Sequence, residues 1–329
     1  MTSFTALMLT QAGRSTDAAL VTLDEFALPE GNVDVRVEYS SLNFKDALAI
    51  TGRGAIVKRW PLVPGIDLAG VVERSAHPHW KPGDRVMVNG WGLGETHWGG
   101  LAQRARLDGD WLLALPTAYD SRQAMAVGTA GYTAALCVMA LQRHGLAPAD
   151  GPVLVTGASG GVGSVAVVLL AGLGFQVAAS TGRAEQAGYL RDLGAAEIVD
   201  RSSMSTAGKP LQSERWAGVV DTAGSHTLAN ACAATRWNGA IAACGLAQGA
   251  DLPATVLPFI LRGVTLYGIN CVFTPNGTRT QAWALLAQHL SASTLARMTH
   301  EIGLSEAIAA SGDLLDGRLR GRTVVAVDR

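Results

Sequence analysis

The chain has 329 residues, 48% of them hydrophobic and 16% charged, and a net charge of −1. That length allows two domains with a sizeable core, and that composition excludes a disordered chain. A charge so close to zero gives no basis for nucleic acid or an anionic membrane as partner. The four cysteines, Cys137, Cys232, Cys244 and Cys271, lie far apart with no Cys-x-x-Cys pair, which points to reduced thiols in a cytoplasmic setting. Met1 to Leu9 lacks the basic start and cleavage site of a secretory signal.

In chain order, Val33 to Tyr39 alternates apolar and polar residues as a half-buried strand does. Leu68 to Glu73 reads as another strand, and the turn Pro82-Gly83-Asp84 leads into a third at Arg85 to Val88. This spacing predicts a partly antiparallel β domain. Gly128 to Leu141 reads as a helix. Beyond it, no charged residue occurs from Gly151 to Gly182, a run that hydropathy alone would take for a membrane helix. Glycines at 157, 160, 161, 163, 172 and 174 divide it instead into strand, turn, helix, turn and strand. Strands buried on both faces of a parallel sheet are continuously apolar for this reason.

The segment Val153-Leu154-Val155-Thr156-Gly157-Ala158-Ser159-Gly160-Gly161-Val162-Gly163 is therefore a strand and glycine-rich turn. A helix from Ser164 to about Ala171 and a strand over Gly174 to Ala179 complete a βαβ unit. The pyrophosphate of a dinucleotide needs such a turn, where backbone N–H groups and a helix N-terminus face the negative charge. Ser159, Gly160, Gly161 and Val162 are the expected contacts, although Ala158 stands where a strict G-x-G-x-x-G has its first glycine. About twenty positions on, where NAD-binding folds often carry a carboxylate for the ribose hydroxyls, the chain reads Ala179-Ser180-Thr181-Gly182-Arg183. Hydroxyls and an arginine suit a 2′-phosphate, so NADPH is the expected cofactor; the other reading of Arg183 is a solvated helix start.

Strand and helix go on alternating: strand Ala217 to Asp221, helix His226 to Ala234, strand Gly239 to Cys244 and strand Val264 to Ile269. Helix Thr280 to Leu290 places Ala282, Leu285, Leu286 and Leu290 on roughly one face. The tail returns to strand, helix, strand, ending in Thr323 to Val327, and is expected to fold back onto the first domain. The domains are then 1–124 with 275–329, and 125–274.

Several motifs resemble the medium-chain dehydrogenase/reductase superfamily: Ser41-Leu42-Asn43-Phe44-Lys45-Asp46, Pro64-Gly65-Ile66-Asp67-Leu68-Ala69-Gly70 and Lys81-Pro82-Gly83-Asp84-Arg85-Val86. The tryptophan-rich loop Gly90 to Gly100, Gly128 to Ala134, Ala243 to Ala247 and Leu257 to Arg262 look like its acrylyl-CoA reductase branch, which is close to the quinone oxidoreductases. The resemblance spans nearly the whole chain. It implies an α/β fold, a Rossmann doubly wound parallel sheet plus a GroES-like, mostly antiparallel β domain. Zinc-dependent relatives carry a cysteine in the first motif and a histidine after the Pro-Gly of the second; here Ile66 stands at the latter position and Asn43 to Asp46 offers no thiolate. His77 and His79 flank Pro78 in what reads as a solvated surface turn, and with His97 they give no ligand set, so no metal is expected.

The resemblance implies NADPH-dependent reduction of an α,β-unsaturated thioester, acrylyl-CoA to propionyl-CoA. Reduction of quinones or other enones is the alternative, and a non-catalytic NADPH-binding protein a second. Asn43 either donates to the developing thioester enolate or orients the nicotinamide ribose, or it simply caps the helix starting near Lys45. Related enzymes often carry tyrosine beside that asparagine; Phe44 can pack on a nicotinamide but cannot give a proton. Neighbouring Lys45 and Asp46 point different ways on a helix and should not act as a facing pair. Cofactor contacts are implied at Phe44, Ser159, Gly160, Gly161, Val162, Thr181, Gly182, Arg183, Arg201, Leu246, Ile260 and Cys271; read from the residues alone, Leu246, Ile260 and Cys271 are core packing. Arg53, Lys58 and Arg59 read as a solvated loop, or as contacts for coenzyme A phosphates. The expected partner is a small acyl-CoA or enone, and the family implies a homodimer joined through Val264 to Ile269.

Overall fold

The structure is a computed structural model that describes residues 3–13 and 15–329; Met1, Thr2 and Arg14 lie outside the described residues, and with them part of the Met1–Leu9 reading. Strands β1 (Ser3–Ala12) and β2 (Ser15–Asp24) pair as a hairpin. Next come β3 (Val33–Leu42), α1 (Phe44–Ile50), β4 (Asp67–Ser75), β5 (Arg85–Asn89), β6 (Arg104–Leu107), β7 (Leu113–Ala114) and α2 (Ser121–His144). The alternating part follows as β8 (Val153–Val155), α3 (Gly161–Gly172), β9 (Val177–Thr181), α4 (Ala187–Asp192), β10 (Ala195–Asp200) and β11 (Trp216–Asp221). It continues through α5 (Ser225–Ala234), β12 (Thr235–Ala243), α6 (Leu257–Arg262) and β13 (Thr265–Gly268). The tail is α7 (Asn276–His289), α8 (Ala292–Met298), β14 (Thr299–Gly303), α9 (Ala307–Leu315) and β15 (Arg322–Ala326).

Two compact units form: the residues up to Thr129 with Cys271–Gln281 and Leu295–Arg329, and Ala130–Asn270 with Ala282–Thr294. The first unit holds a seven-stranded sheet in the order β14-β15-β3-β4-β5-β7, with β6 also on β3. Only β14 and β15 run parallel in it. The tail does fold back as expected, because β15 pairs antiparallel with β3, Thr323 opposite Leu42. The inward residues Val33, Val35 and Val37 of β3 meet Leu68, Val72, Val86, Val88 and Leu107 in one core.

The second unit is a six-stranded parallel sheet in the order β10-β9-β8-β11-β12-β13. This is the doubly wound order whose direction of winding reverses at β8, and ligands bind beyond the strand C-termini at such a reversal. The charge-free stretch folds accordingly: β8 and β9 are buried throughout, and so is α3 from Gly163 to Leu170. Helix α3 begins at Gly161, earlier than expected, and β9 begins at Val177, later than expected. The latter shift has a local cause, since Gly174 at φ 86° closes the helix while Phe175 N–H donates to the Leu170 carbonyl at 3.0 Å. Among the described residues one helix, α2, is long and apolar enough to cross a membrane, and 94% of its apolar window is buried within the protein. It starts at Ser121, not Gly128, and is broken at Gly128, where φ is 53° and ψ −164°.

Candidate active site

The glycine-rich turn explains its own departure from the strict pattern. The residue that needs a left-handed backbone is Gly157, at φ 57°, whereas Ala158 is fully buried and its N–H donates to the Ser180 carbonyl at 3.0 Å. A side chain at Gly163 would run into the Gly157 carbonyl, so glycine there lets the first turn of α3 lie against the end of β8. The N–H groups of that first turn have no partner within the helix. That provides the phosphate-facing helix end.

Beyond the ends of β8, β9 and β10, hydroxyls and guanidinium groups converge. Ser159 Oγ and Thr181 Oγ1 are 3.2 Å apart, Arg183 Nη2 donates to Ser159 Oγ at 2.9 Å, and Arg183 N–H donates to Thr181 Oγ1 at 3.1 Å. The Arg201 guanidinium lies across Gly182 so closely that a Cβ there would sit 2.8 Å from its Cζ. Arg201 makes no ion pair among the described residues, and Asp200 beside it is engaged instead with Ser202 N–H at 2.8 Å. The structure thus brings Ser159, Thr181, Gly182, Arg183 and Arg201 to one place. Two cations, two hydroxyls and a bare backbone fit a ribose phosphate.

Leu246, Ile260 and Cys271 are not core residues, contrary to the plain residue reading. Leu246 is 56% and Ile260 69% exposed, and Cys271 is half-buried. Cys271 belongs to the first unit, where Arg279 holds its segment: the buried guanidinium donates to the carbonyls of Thr274 (2.7 Å), Val272 (2.7 Å), Cys271 (3.2 Å) and Asn89 (2.6 Å). Trp91 stacks on the same guanidinium, 4.6 Å from ring centre to Cζ.

Around Asn43 the first unit contains a buried polar cluster. Phe44, at the first turn of α1, is 41% exposed, while Asn43 and Asp46 are buried. Lys45 and Asp46 diverge as expected, Lys45 pairing with Glu95 at 2.7 Å. Asn43 does not cap α1 with its side chain; the cap runs the other way, from Asn43 N–H to Asp46 Oδ2 at 2.9 Å. The Asn43 amide nitrogen instead faces Ser41 O, Ser41 Oγ, Asp46 Oδ2 and Asp67 Oδ2 at 3.1–3.3 Å, and its carbonyl accepts from Arg322 Nη1 at 3.2 Å. Two amide hydrogens set among four acceptors are fully used, which works against Asn43 as a donor to substrate.

Asp67 and Arg322 complete the cluster. Asp67 accepts from Ser41 N–H and Oγ and from Thr129 N–H at 2.7 Å; Arg322 donates to Ser41 Oγ at 2.7 Å and to the Met125 and Ala126 carbonyls. The break at Gly128 makes room, since a side chain there would collide with Arg322 Nη2 and Ser41 Oγ. Sequence reasoning quoted Asp67 without a role and passed over Arg322. The available signal was a single charge at the end of each of two apolar strands, Asp67 before Leu-Ala-Gly-Val-Val and Arg322 before Thr-Val-Val-Ala-Val.

Burial and the Asp67 carboxylate push the Asp46 carboxyl up to about 7, against the N–H donors of Asn43 and Ile66 that hold it down. The folded protein therefore binds this proton more tightly than the unfolded chain. The resulting stability is complete below 3.8 and is lost as pH rises through about 7. Chemical denaturation at pH 5 and pH 8 checks this: Asp46→Asn, which cannot ionise, should lose less stability between the two than the wild type does.

His77 is not a solvated loop residue, as the sequence suggested. Its side chain is 8% exposed, packs on Gly109 and meets Asp110 Oδ1 at 3.1 Å. His97 is held between the Trp98 and Glu30 carbonyls at 3.0 and 3.2 Å. Among the described residues no three His, Cys, Asp or Glu side chains are grouped to hold a metal ion.

Comparison with known proteins matches residues 29–117 to the alcohol dehydrogenase GroES-like domain and residues 161–288 to zinc-binding dehydrogenase. The chain is 50% identical to a probable acrylyl-CoA reductase of Escherichia coli over 98% of its length and 99% of that protein. It is also 50% identical to the acrylyl-CoA reductase of Ruegeria pomeroyi, over 99% of both chains. The crystal structure of the YhdH oxidoreductase from Salmonella enterica in complex with NADP superposes with a TM-score of 0.96 at 50% identity, over 98% of this chain and 99% of that one.

Proposed function

Since the chain belongs to the acrylyl-CoA reductase family of the medium-chain dehydrogenase/reductase superfamily, we propose that it reduces the C=C bond of acrylyl-CoA to give propionyl-CoA with NADPH. The observation that carries the cofactor is the convergence of Ser159, Thr181, Arg183 and Arg201 around Gly182, with no carboxylate in Ala179–Arg183 to repel a 2′-phosphate. NADPH, when bound, supplies the hydride that the substrate β-carbon accepts. The turn Ser159–Val162 and the first turn of α3 hold its pyrophosphate, and Arg183 and Arg201 its ribose phosphate. Leu246, Ile260, Cys271 and Phe44 are proposed as the apolar contacts, which accounts for three exposed or half-buried apolar side chains and a thiol.

Asn43 and Phe44 remain the proposed catalytic positions, in altered parts. Asn43 works as a positioning residue that fixes the start of α1, and Phe44 offers an apolar face that excludes water. Phenylalanine has no proton to give, so the proton at the α-carbon comes from water or from another side chain. A zinc does not fit the donor set, since Ile66 stands where zinc-dependent relatives place a histidine and Asn43 to Asp46 offers no thiolate, and no step is assigned to a metal. The domain limits 1–124 with 275–329 and 125–274, a cytoplasmic location and a homodimer are parts of the same proposal. For the dimer, β13 is the edge strand of the parallel sheet and its backbone can extend the sheet into a second copy.

The test is an incubation with NADPH and acrylyl-CoA. Loss of nicotinamide absorbance with propionyl-CoA formed is expected, and in D2O one deuterium should appear at the α-carbon only. Consumption of quinones alone would favour the quinone reductase reading, and tight NADPH binding without turnover of either would favour a non-catalytic role.

A further inference from the structure

The first unit contains a cavity of about 570 Å³ whose walls carry Trp98, Trp111, His97, Arg59, Glu30 and Asp108. A space of that size is ample for a nucleotide-sized ligand. Its aromatic walls are fixed. Trp98 Nε1 donates to the Pro61 carbonyl at 3.1 Å, the His97 ring lies between the carbonyls of Trp98 and Glu30 with an N–H for one of them, and His97 meets Trp111 edge-on with centroids 5.1 Å apart. Trp111 in turn packs on the core of the sheet.

The structure separates the three basic residues of the neighbouring loop. Arg53 pairs with Asp316 at 2.9 Å and Lys58 Nζ donates to the Ala55 carbonyl at 2.9 Å. Of the three, Arg59 alone lines the cavity, with no ion pair or hydrogen bond among the described residues. The Glu30 carboxylate is likewise without a partner among them, and only Oδ1 of Asp108 is used, by Asp110 N–H at 3.0 Å. An aliphatic ligand would desolvate these charges without pairing them. A flat heterocycle with an exocyclic amine and a phosphate suits these walls: indole faces for the ring, a carboxylate for the amine, a guanidinium for the phosphate.

We propose that this cavity binds an adenosine bearing a ribose phosphate. Coenzyme A ends in such a group, and identifying it as the occupant rests on the function proposed above. One feature of the chain favours that source. Trp98 lies on the loop Gly90–Gly100, and Glu95 of the same loop pairs with Lys45, the neighbour of Phe44.

Adenosine 3′,5′-bisphosphate is the probe, titrated by calorimetry into the full chain with excess NADP⁺ present to fill the Arg183–Arg201 site. Saturable binding is expected. Arg59→Glu should weaken it roughly tenfold or more, the loss of one charge-assisted contact; Arg59→Lys should keep most of it, and Arg53→Glu should leave it unchanged. If the probe also raises the KM for acrylyl-CoA, the occupant is the coenzyme A tail; if it binds without competing, the occupant is a free nucleotide. No saturable binding, or equal binding by Arg59→Glu, overturns the assignment. Binding by a protein that fails to reduce acrylyl-CoA would sink the function and leave the cavity assigned.

Discussion

Replacing Arg183 or Arg201 by alanine is expected to raise the KM for NADPH by roughly 10–100-fold each, from loss of about 1.5–3 kcal/mol per charge-assisted contact. The KM for NADH should change little, because NADH lacks the phosphate proposed to lie against both guanidinium groups. The two effects need not add. Arg183 is anchored to Ser159 Oγ at 2.9 Å while Arg201 lies across Gly182, so each can partly cover for the other. Gly182→Asp is the sharper variant. Its Cβ would enter the space now held by the Arg201 guanidinium, and its carboxylate would both occupy that cation and repel the phosphate. Steady-state kinetics with both nicotinamides should then show NADPH preference lost. Parallel increases for NADPH and NADH would mean that the two arginines hold the fold and not the phosphate.

The second large effect is on stability. Arg322→Met removes the cation of a cluster in which Asp46 and Asp67 are both buried, and leaving buried charge unpaired costs about 3–5 kcal/mol. Burial lowers the Arg322 pKa while Asp67 and Asp46 raise it, so the guanidinium and the two carboxyls stand or fall together. Lysine should not rescue the loss. Arg322 reaches four acceptors, Ser41 Oγ, Asn43 Oδ1 and the Met125 and Ala126 carbonyls, and an ammonium has three donors in a different geometry. The penalty should shrink at acid pH, where Asp46 takes up its proton in the variant more readily than in the wild type. Gly128→Ala attacks the same cluster from the backbone, since φ 53° with ψ −164° is a conformation open essentially to glycine and the added methyl would meet Arg322. Calorimetric unfolding at pH 5 and pH 8 checks both variants. A loss for Arg322→Met that is small, or equal at the two pH values, would deny the cluster its electrostatic character.

Much of the nucleotide-binding half was legible because its determinants are close in sequence. The glycine turn, the helix after it and the hydroxyl–arginine pair at Thr181 and Arg183 all fall within Val153–Arg183, and turn chemistry and apolar runs are local properties. Even the mismatch at Ala158 concerned only which of two neighbours takes the left-handed backbone. The resemblance implied cofactor roles for Leu246 and Ile260, and the residues alone misassigned both to the core. An isolated apolar residue carries no mark that distinguishes core from exposed surface.

By itself, then, the amino-acid order determined most of the strand and helix order of the second unit, though not α4, β10 or α6, together with the class of cofactor and the return of the last strand to the first unit. Tertiary structure alone decided what Asn43 does, because its amide is claimed by groups that arrive from elsewhere: Asp67 from β4 and Arg322 from β15, the latter 279 positions away. It also decided which of Arg53, Lys58 and Arg59 lines a cavity, since Arg53 is taken up by Asp316, 263 positions away. Periodicity and turn chemistry act over a few residues and can be read along the chain. The grouping of buried charges depends on which distant strands become neighbours, and that is fixed only when the sheet closes around them.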